Sequence, residues 1–60
     1  MGALMSARDV AEYCAVPLKT VYTWNTEGTG PKYYRVGKHA RYRLADVDKW
    51  LEKQAVTPGD

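Results

Sequence analysis

Between Lys32 and Arg43 the chain carries a run of cations that no acidic residue interrupts. Five Lys or Arg residues and one histidine lie in this run. Ammonium and guanidinium groups at this density suit the binding of phosphate oxygens, which accept charge-assisted hydrogen bonds. The segment before the run has two cations and three acids, and the segment after it has two cations and four acids. This distribution indicates a polyanion that docks on one defined face.

The remaining reactive side chains do not form a set that fits other chemistry. Cys14 is the single cysteine and His39 the single histidine, so neither has a partner for zinc binding, a disulfide or nucleophilic catalysis. Asp46 and Asp48 are a carboxylate pair, but they fit the first turn of a helix, where the helix dipole favours acids. We therefore expect no enzyme activity and no cofactor, metal or small-molecule ligand.

The cations lie on a predicted β-hairpin. Apolar and polar residues alternate with a period of two around a short loop at residues 37–40, which is typical of two paired strands. We expect Tyr34, Val36, Tyr42 and Leu44 to point inward. The outer face and the tip of this hairpin then collect the basic side chains, namely Arg35, Lys38, His39, Arg41 and Arg43.

Two helices precede the hairpin, with a break of about three residues between them. Ser6 can cap the first helix with Asp9 as its capping-box partner, and the apolar stripe ends at Cys14. Pro17 disfavours helix in the residue before it and can open the second helix, which runs to Trp24. The second helix presents four residues as candidate contacts for the polyanion, namely Lys19, Thr20, Tyr22 and Thr23. For Tyr22 two interpretations stay open, a hydrogen bond to phosphate or packing on the first helix.

A loop over residues 25–31 and a third helix over about residues 46–54 complete the domain. Val47, Trp50 and Leu51 face inward on the third helix. We expect a lead at residues 1–5, one domain at residues 6–54 and a flexible tail at residues 55–60. The order helix, turn, helix, hairpin, helix is that of a winged helix, an α+β fold that is mainly α.

The predicted partner is double-stranded DNA. The second helix of such a pair fits the major groove, and a hairpin rich in Arg fits the strongly negative minor groove beside it. Arg8, at the start of the first helix, could contact a phosphate or be an ordinary surface charge. A single thiol without a signal peptide indicates a reducing, cytoplasmic compartment, and no stretch is apolar enough to span a membrane.

Several short motifs resemble one protein family. Residues 6–11, Val16 and residues 20–24 resemble the opening of MerR-like winged-helix domains. Residues 28–31, 35–37, 41–43 and 46–51 resemble the rest of that domain in phage excisionases, also called recombination directionality factors, and fit best those of actinobacterial phages. The resemblance covers about residues 5–53.

The resemblance implies a function in site-specific recombination. It implies a wing in the minor groove, bending of attachment-site DNA, cooperative binding of further copies and a tyrosine integrase as partner, so that excision is favoured over integration. It also implies a location on the nucleoid of a bacterial host cell. The family usually has Gly where Ala15 stands, a Ser-type cap where Pro17 stands and often a capping Ser where Ala45 stands. The first difference implies a strained left-handed turn.

Two other functions remain as alternatives. A small winged-helix transcriptional regulator would bind DNA as a dimer, but such regulators carry a dimerising helix and an effector domain after the winged helix, whereas this sequence ends soon after Leu51. A protein-interaction module would need an exposed apolar patch, whereas the predicted core uses the apolar residues. We therefore expect a free monomer that binds DNA cooperatively, head to tail. The acidic third helix (Asp46, Asp48, Glu52), the basic wing (Lys38, Arg41) and the tail are the candidate contacts between copies.

Overall fold

The computed structural model describes residues 3–56 and residue 58, and these form three α-helices and one two-stranded antiparallel sheet. The elements in chain order are α1 (Ala7–Cys14), α2 (Leu18–Glu27), β1 (Tyr34–Val36), β2 (His39–Arg41) and α3 (Leu44–Lys53). This is the winged helix-turn-helix architecture that the sequence predicted. Parts of the predicted lead and tail, at residues 1, 2, 57, 59 and 60, lie outside the described residues.

The start of α1 confirms the predicted capping box. The Ser6 hydroxyl oxygen accepts a hydrogen bond from the Asp9 backbone N–H at 3.1 Å, and the Asp9 carboxylate accepts one from the Ser6 N–H at 2.9 Å. These bonds satisfy donors that a helix start otherwise leaves open. The buried face of α1 consists of Ala7, Val10 and Ala11, so the cap fixes where the packed face begins.

The turn between α1 and α2 contains one strained residue. Ala15 closes α1 with φ 58° and ψ 45°, in the left-handed region, where a Cβ costs about 1–2 kcal/mol. The sequence predicted Pro17 as the first residue of α2. In the structure Pro17 is the residue before the helix, because its ψ of 148° is extended and α2 begins at Leu18. No side chain caps α2 at Pro17.

α2 is one turn longer than the sequence predicted. It continues past Trp24 to Glu27 and ends at Gly28, whose φ of 72° is left-handed. The added turn is held by a distant residue, since the Tyr42 hydroxyl donates a hydrogen bond to Asn25 Oδ1 at 2.9 Å. Residues 25–27, predicted as loop, therefore belong to the helix.

The hairpin turns more tightly than predicted. Only Gly37 and Lys38 separate the paired residues, and Gly37 takes the left-handed φ of 63° that such a turn favours. The register pairs Tyr34 with Arg41, Arg35 with Ala40, and Val36 with His39.

This register reverses the predicted inward face of β1. Directly paired residues share a face of the sheet, so Tyr34 lies on the same face as Arg41. Because the next residue, Tyr42, points into the core, this shared face is the outer one. Val36 is accordingly 53% exposed, and the prediction that Tyr34 and Val36 point inward is wrong. Tyr33 packs against the core instead, with its ring centroid 5.7 Å from that of Tyr42.

The centre of the core lies where the helices meet the hairpin. Val10, Val21, Val47 and Tyr42 have no exposed surface and come from α1, α2, α3 and the residue after β2. Tyr42 also pairs with Met5 through two backbone hydrogen bonds of 2.8 and 2.9 Å. The chain before α1 is thereby joined to the hairpin.

α3 begins two residues earlier than predicted, at Leu44, and Arg43 provides no side-chain cap. Leu44 is 49% exposed, so its predicted inward position is wrong. The reason is that Leu44 is the first residue of a helix and not the last of a strand, which ends the period-two alternation. Val47 confirms the predicted inward face of α3.

Trp24 of α2 and Trp50 of α3 form an aromatic pair. The rings of Trp24 and Trp50 lie 4.7 Å apart between centroids, and Trp50 Nε1 donates a hydrogen bond to the Thr29 carbonyl at 3.0 Å. Gly30 passes so close to this pair that a Cβ there would lie 2.6 Å from the Trp24 Cβ. The loop after α2 therefore requires glycine at this position.

Replacing Ala15 with glycine should stabilise the protein. Removing the Cβ relieves the left-handed strain, and glycine's greater freedom in the unfolded chain offsets part of the gain, which leaves about 0.5–1 kcal/mol. Thermal unfolding followed by circular dichroism should show a higher Tm, since 1 kcal/mol corresponds to about 4–8 °C in a domain of this size. The matched control is Ala45→Gly in α3, where the same change should lower the Tm because glycine disfavours helix. An Ala15→Gly variant with a lower Tm would contradict the left-handed turn.

Candidate nucleic-acid interface

The exposed face of α2 carries most of the predicted helix contacts. Lys19, Tyr22 and Thr23 are exposed and lie three or four residues apart, hence on one side of the helix. Thr20 is half-buried and lies at the flank of this face, about 100° around the helix from Lys19. The exposed face of α2 therefore includes Lys19 but not all of Thr20 in its first turn, and it is narrower there than predicted.

Thr26 extends this face and was missed by the sequence prediction. It is exposed and lies seven residues after Lys19, which returns it to the same side of the helix. The signal for it was Gly28, a typical residue just after a helix end. Once α2 is extended to that glycine, Thr26 falls on the exposed face.

The two threonine hydroxyls on this face share one arrangement. Thr23 donates its hydroxyl proton to the Lys19 carbonyl at 3.1 Å, and Thr26 donates to the Tyr22 carbonyl at 3.0 Å. Each hydroxyl oxygen therefore offers lone pairs to an incoming group. The amino groups of adenine and cytosine are the donors that the major groove presents. The α2 face thus favours contact with a base-edge donor at two successive turns.

A cleft of about 330 Å³ separates α2 from the hairpin and is called the wing cleft here. The start of α1 forms its third side. Its lining residues are Ser6, Ala7, Arg8, Leu18, Tyr22, Lys38, His39, Ala40 and Arg41.

The wing cleft joins the two sets of residues that the sequence predicted separately. Tyr22 comes from α2, whereas Lys38, His39 and Arg41 come from the hairpin. Tyr22 is 55% exposed, which favours its availability to a phosphate over packing on α1. Arg8 lines the same cleft, so its charge adds to the field of the hairpin cations.

Arg41 is less exposed than the other cations of the wing cleft, Arg8 and Lys38. It is half-buried, and its Nη1 donates a hydrogen bond to the Ala40 carbonyl at 2.8 Å. The pKa of the Asp9 carboxyl is held below its usual value, first by the hydrogen bond from the Ser6 backbone, then by the Ser6 side chain and by the positive charge of Arg41. The cation run is free of acids along the sequence, but folding brings the Asp9 carboxylate near Arg41.

The sequence predicted that Arg35, Arg41 and Arg43 share the outer face of the hairpin, and for Arg35 this prediction is wrong. Arg41 lies on the outer face with Tyr34, whereas Arg35 pairs with Ala40 on the opposite face. The two-residue turn sets this register, and the period of two then separates Arg35 from Arg41. Arg35 is exposed but approaches a ligand from a different side.

A second cationic group surrounds Tyr34. The Arg43 guanidinium carbon lies 4.9 Å from the centroid of the Tyr34 ring, and Lys32 Nζ lies 5.2 Å from it. Cations at these distances are attracted to an aromatic ring. Arg43 therefore lies with Arg41 on the outer side of the hairpin, where the sequence predicted it, and Lys32 joins it.

Within residues 3–56 and 58, no group of three or more His, Cys, Asp and Glu side chains is placed to hold a metal ion. In that same part of the chain, no helix is both long and apolar enough to cross a membrane.

The chain was compared with known proteins. A search of curated proteins found no match. Residues 4–55 match the model of a family described as a helix-turn-helix domain. This match spans all five elements of the fold, including the wing cleft and the exposed face of α2. The chain therefore belongs to the helix-turn-helix domain family and is a DNA-binding protein.

Proposed function

We propose that this protein binds phage attachment-site DNA, bends it and directs a tyrosine integrase toward prophage excision. The observation that carries the proposal is the wing cleft, where α2 and the hairpin present Tyr22, Lys38 and Arg41 toward one ligand. A duplex contacted by both elements is held in two neighbouring grooves. The resemblance of several motifs to phage excisionases adds the recombination role.

In this proposal α2 and the hairpin have different roles in DNA recognition. The α2 face presents Lys19, Thr23 and Thr26 to base edges in the major groove, where each base pair has its own donor and acceptor pattern. The hairpin presents Lys38, His39 and Arg41 to the minor groove and its phosphates. Sequence preference then comes mainly from α2 and affinity mainly from the hairpin.

Bending follows from holding both grooves with one small rigid body. The hairpin is joined to the helices through the buried Tyr42, so it cannot follow a straight duplex independently of α2. Bending a site of this kind costs about 1–6 kcal/mol. The additional phosphate contacts of the hairpin offset that cost.

Binding by several copies adds affinity that one copy lacks. A single module of this size buries about 600–1,000 Å² on DNA, so neighbouring copies on adjacent repeats strengthen the complex. Glu52 is exposed on α3 and Lys38 is exposed at the wing tip, and these opposite charges fit a head-to-tail contact. Asp48 is less available, because its carboxylate accepts a hydrogen bond from the Tyr13 hydroxyl. Asp46 is half-buried.

The transcriptional-regulator alternative has one observation in its favour. Leu4 and Leu44 are 46% and 49% exposed and line one shallow groove together with Ala3, Arg43 and Ala45. The sequence predicted that the core would use such apolar residues, and it does not use these two. A symmetric dimer of a regulator would require an apolar, self-complementary surface of this kind.

Substitutions in the two elements should have different effects on DNA binding. Arg41→Ala should weaken binding to all sequences similarly and reduce the slope of log K against log salt by about one unit, since each neutralised phosphate contributes about 0.9. Lys19→Ala and Thr23→Ala should reduce the preference for the selected site by up to about 1–3 kcal/mol. Fluorescence anisotropy on a selected and a scrambled duplex, over a range of KCl concentrations, measures both effects. If Arg41→Ala changes the preference and Lys19→Ala and Thr23→Ala do not, the two elements have the opposite roles.

The assembly should be a monomer in solution that becomes cooperative on DNA. Sedimentation of the free protein should give one species of monomer mass. Circular-permutation gel shifts on attachment-site DNA should show a bend, and titration should give a ladder of complexes. With the integrase that acts on that DNA, added protein should raise the yield of excised product. A stable free dimer on an inverted repeat without a bend would favour the regulator.

A further inference from the structure

A second basic cleft lies beside α3, away from the wing cleft. It has a volume of about 280 Å³ and is called the lysine cleft here. Its lining residues are Gly30, Lys32, Asp46, Lys49, Trp50 and Lys53. Three of the six carry a positive charge and one carries a negative charge, so the cleft is a local cationic surface on a helix that is acidic in total.

Four of the five charges of α3 are separated onto two sides of the helix, and the fifth, Asp46, lies on the side of the lysines. Lys49 and Lys53 are four residues apart and both line the lysine cleft. Asp48 faces α1 instead, where it accepts the hydrogen bond from Tyr13, and Glu52 follows it by four residues. The basic side of α3 is therefore directed toward the loop before β1, and the acidic side toward α1.

Contacts around Tyr34 connect the lysine cleft with the hairpin. Tyr34 pairs with Arg41 on the outer face, and its ring lies beside both Arg43 and Lys32. Lys32 is also a lining residue of the lysine cleft. These shared residues link the cations of the hairpin to those of α3, and the linked set is called the cation track here, namely Arg41, Arg43, Lys32, Lys49 and Lys53.

The chemistry of this track suits a phosphodiester backbone. Arg43, Lys32, Lys49 and Lys53 are all exposed, and they come from three places in the fold, namely the residue before α3, the loop before β1 and α3 itself. Asp46 is the one carboxylate along the lysine cleft. It is half-buried, and its Oδ2 has no hydrogen-bond partner among the described residues. Because three lysines line the cleft with this one carboxylate, the net charge of the lining stays positive.

We propose that duplex DNA leaving the wing follows the cation track onto α3, where Lys32, Lys49 and Lys53 contact phosphates of the flanking segment. The proposal rests on the DNA-bending function above and identifies a surface that holds the bent duplex. Contacts outside the recognised site increase the affinity only for a duplex that is long enough to reach them. Binding should therefore depend on the length of the flanking DNA.

The test compares two labelled duplexes that contain the same site, selected by the protein from random-sequence DNA. One ends at the site, and the other extends about one helical turn, 10 base pairs, on each side. The doubly substituted Lys49→Gln/Lys53→Gln protein is compared with wild type and with Lys49→Arg/Lys53→Arg, which keeps the charges. Because both lysines are exposed, circular dichroism should show the same fold and Tm for all three proteins.

On the long duplex, the Gln variant should lose about 1.8 from the salt slope, since two phosphates contribute about 0.9 each. On the short duplex it should match wild type, and the Arg variant should match wild type on both. Equal effects on the two duplexes, or none on the long one, would overturn the proposal. A loss confined to cooperativity between adjacent sites would also overturn it, because the lysines would then contact another copy. Failure of the proposed function looks different, since wild type would then bind the selected site without bending it, which circular-permutation gel shifts detect independently of the two lysines.

Discussion

The hairpin owes its position against α1 and α2 to the burial of Tyr42. The ring of Tyr42 fills the centre of the core, its backbone pairs with Met5, and its hydroxyl donates to Asn25 in the last turn of α2. A buried hydroxyl without a partner would cost about 1–3 kcal/mol, so the Asn25 bond also favours the longer α2. Through this one residue the wing, the chain before α1 and the last turn of α2 are held together, and the wing cleft keeps its width.

The local stabilisation of the helices is uneven, and the unevenness matches the proposed interface. α1 has a complete capping box, whereas α2 and α3 begin at Pro17 and Arg43 without a side-chain cap. A missing cap costs about 1 kcal/mol. At the start of α2 the Thr20 N–H donates to the Pro17 carbonyl at 2.9 Å. Pro17 has no side chain that could bind the N–H groups of Leu18 and Lys19, which leaves those two open to a phosphate.

Electrostatics in this protein depend on the three-dimensional distribution of charge more than on the net charge of +2. The wing cleft holds cations from α1 and the hairpin, and the cation track adds those of α3 and the preceding loop. Carboxylates at Asp9 and Asp46 lie close to these cations. These carboxylates lower the positive potential around the cations.

Local patterns in the sequence predicted the order of elements, the capping box and the exposure of most candidate residues on α2. Features set by distant contacts were not predictable in this way. The end of α2 depends on a hydrogen bond between Asn25 and Tyr42, which are 17 residues apart. The faces on which Tyr34 and Arg35 lie depend on a two-residue turn. The basic side of α3 was not predicted, because the helix as a whole carries more acidic than basic residues. A shift of one residue in a hairpin moves each side chain to the other face, so small errors in turn length move candidate residues such as Arg35 away from the interface.

The most direct test of DNA binding through α2 and the wing is an NMR titration. Uniformly ¹⁵N-labelled protein is titrated with a selected duplex, and the backbone amide shifts are mapped on the fold. The proposed interface predicts that the largest changes occur at residues 19–26 of α2, at residues 37–41 of the hairpin and at Arg8, with little change at Glu12 on the exposed side of α1. Changes confined to the groove of Leu4 and Leu44, or to the exposed side of α1 at Glu12, would contradict it.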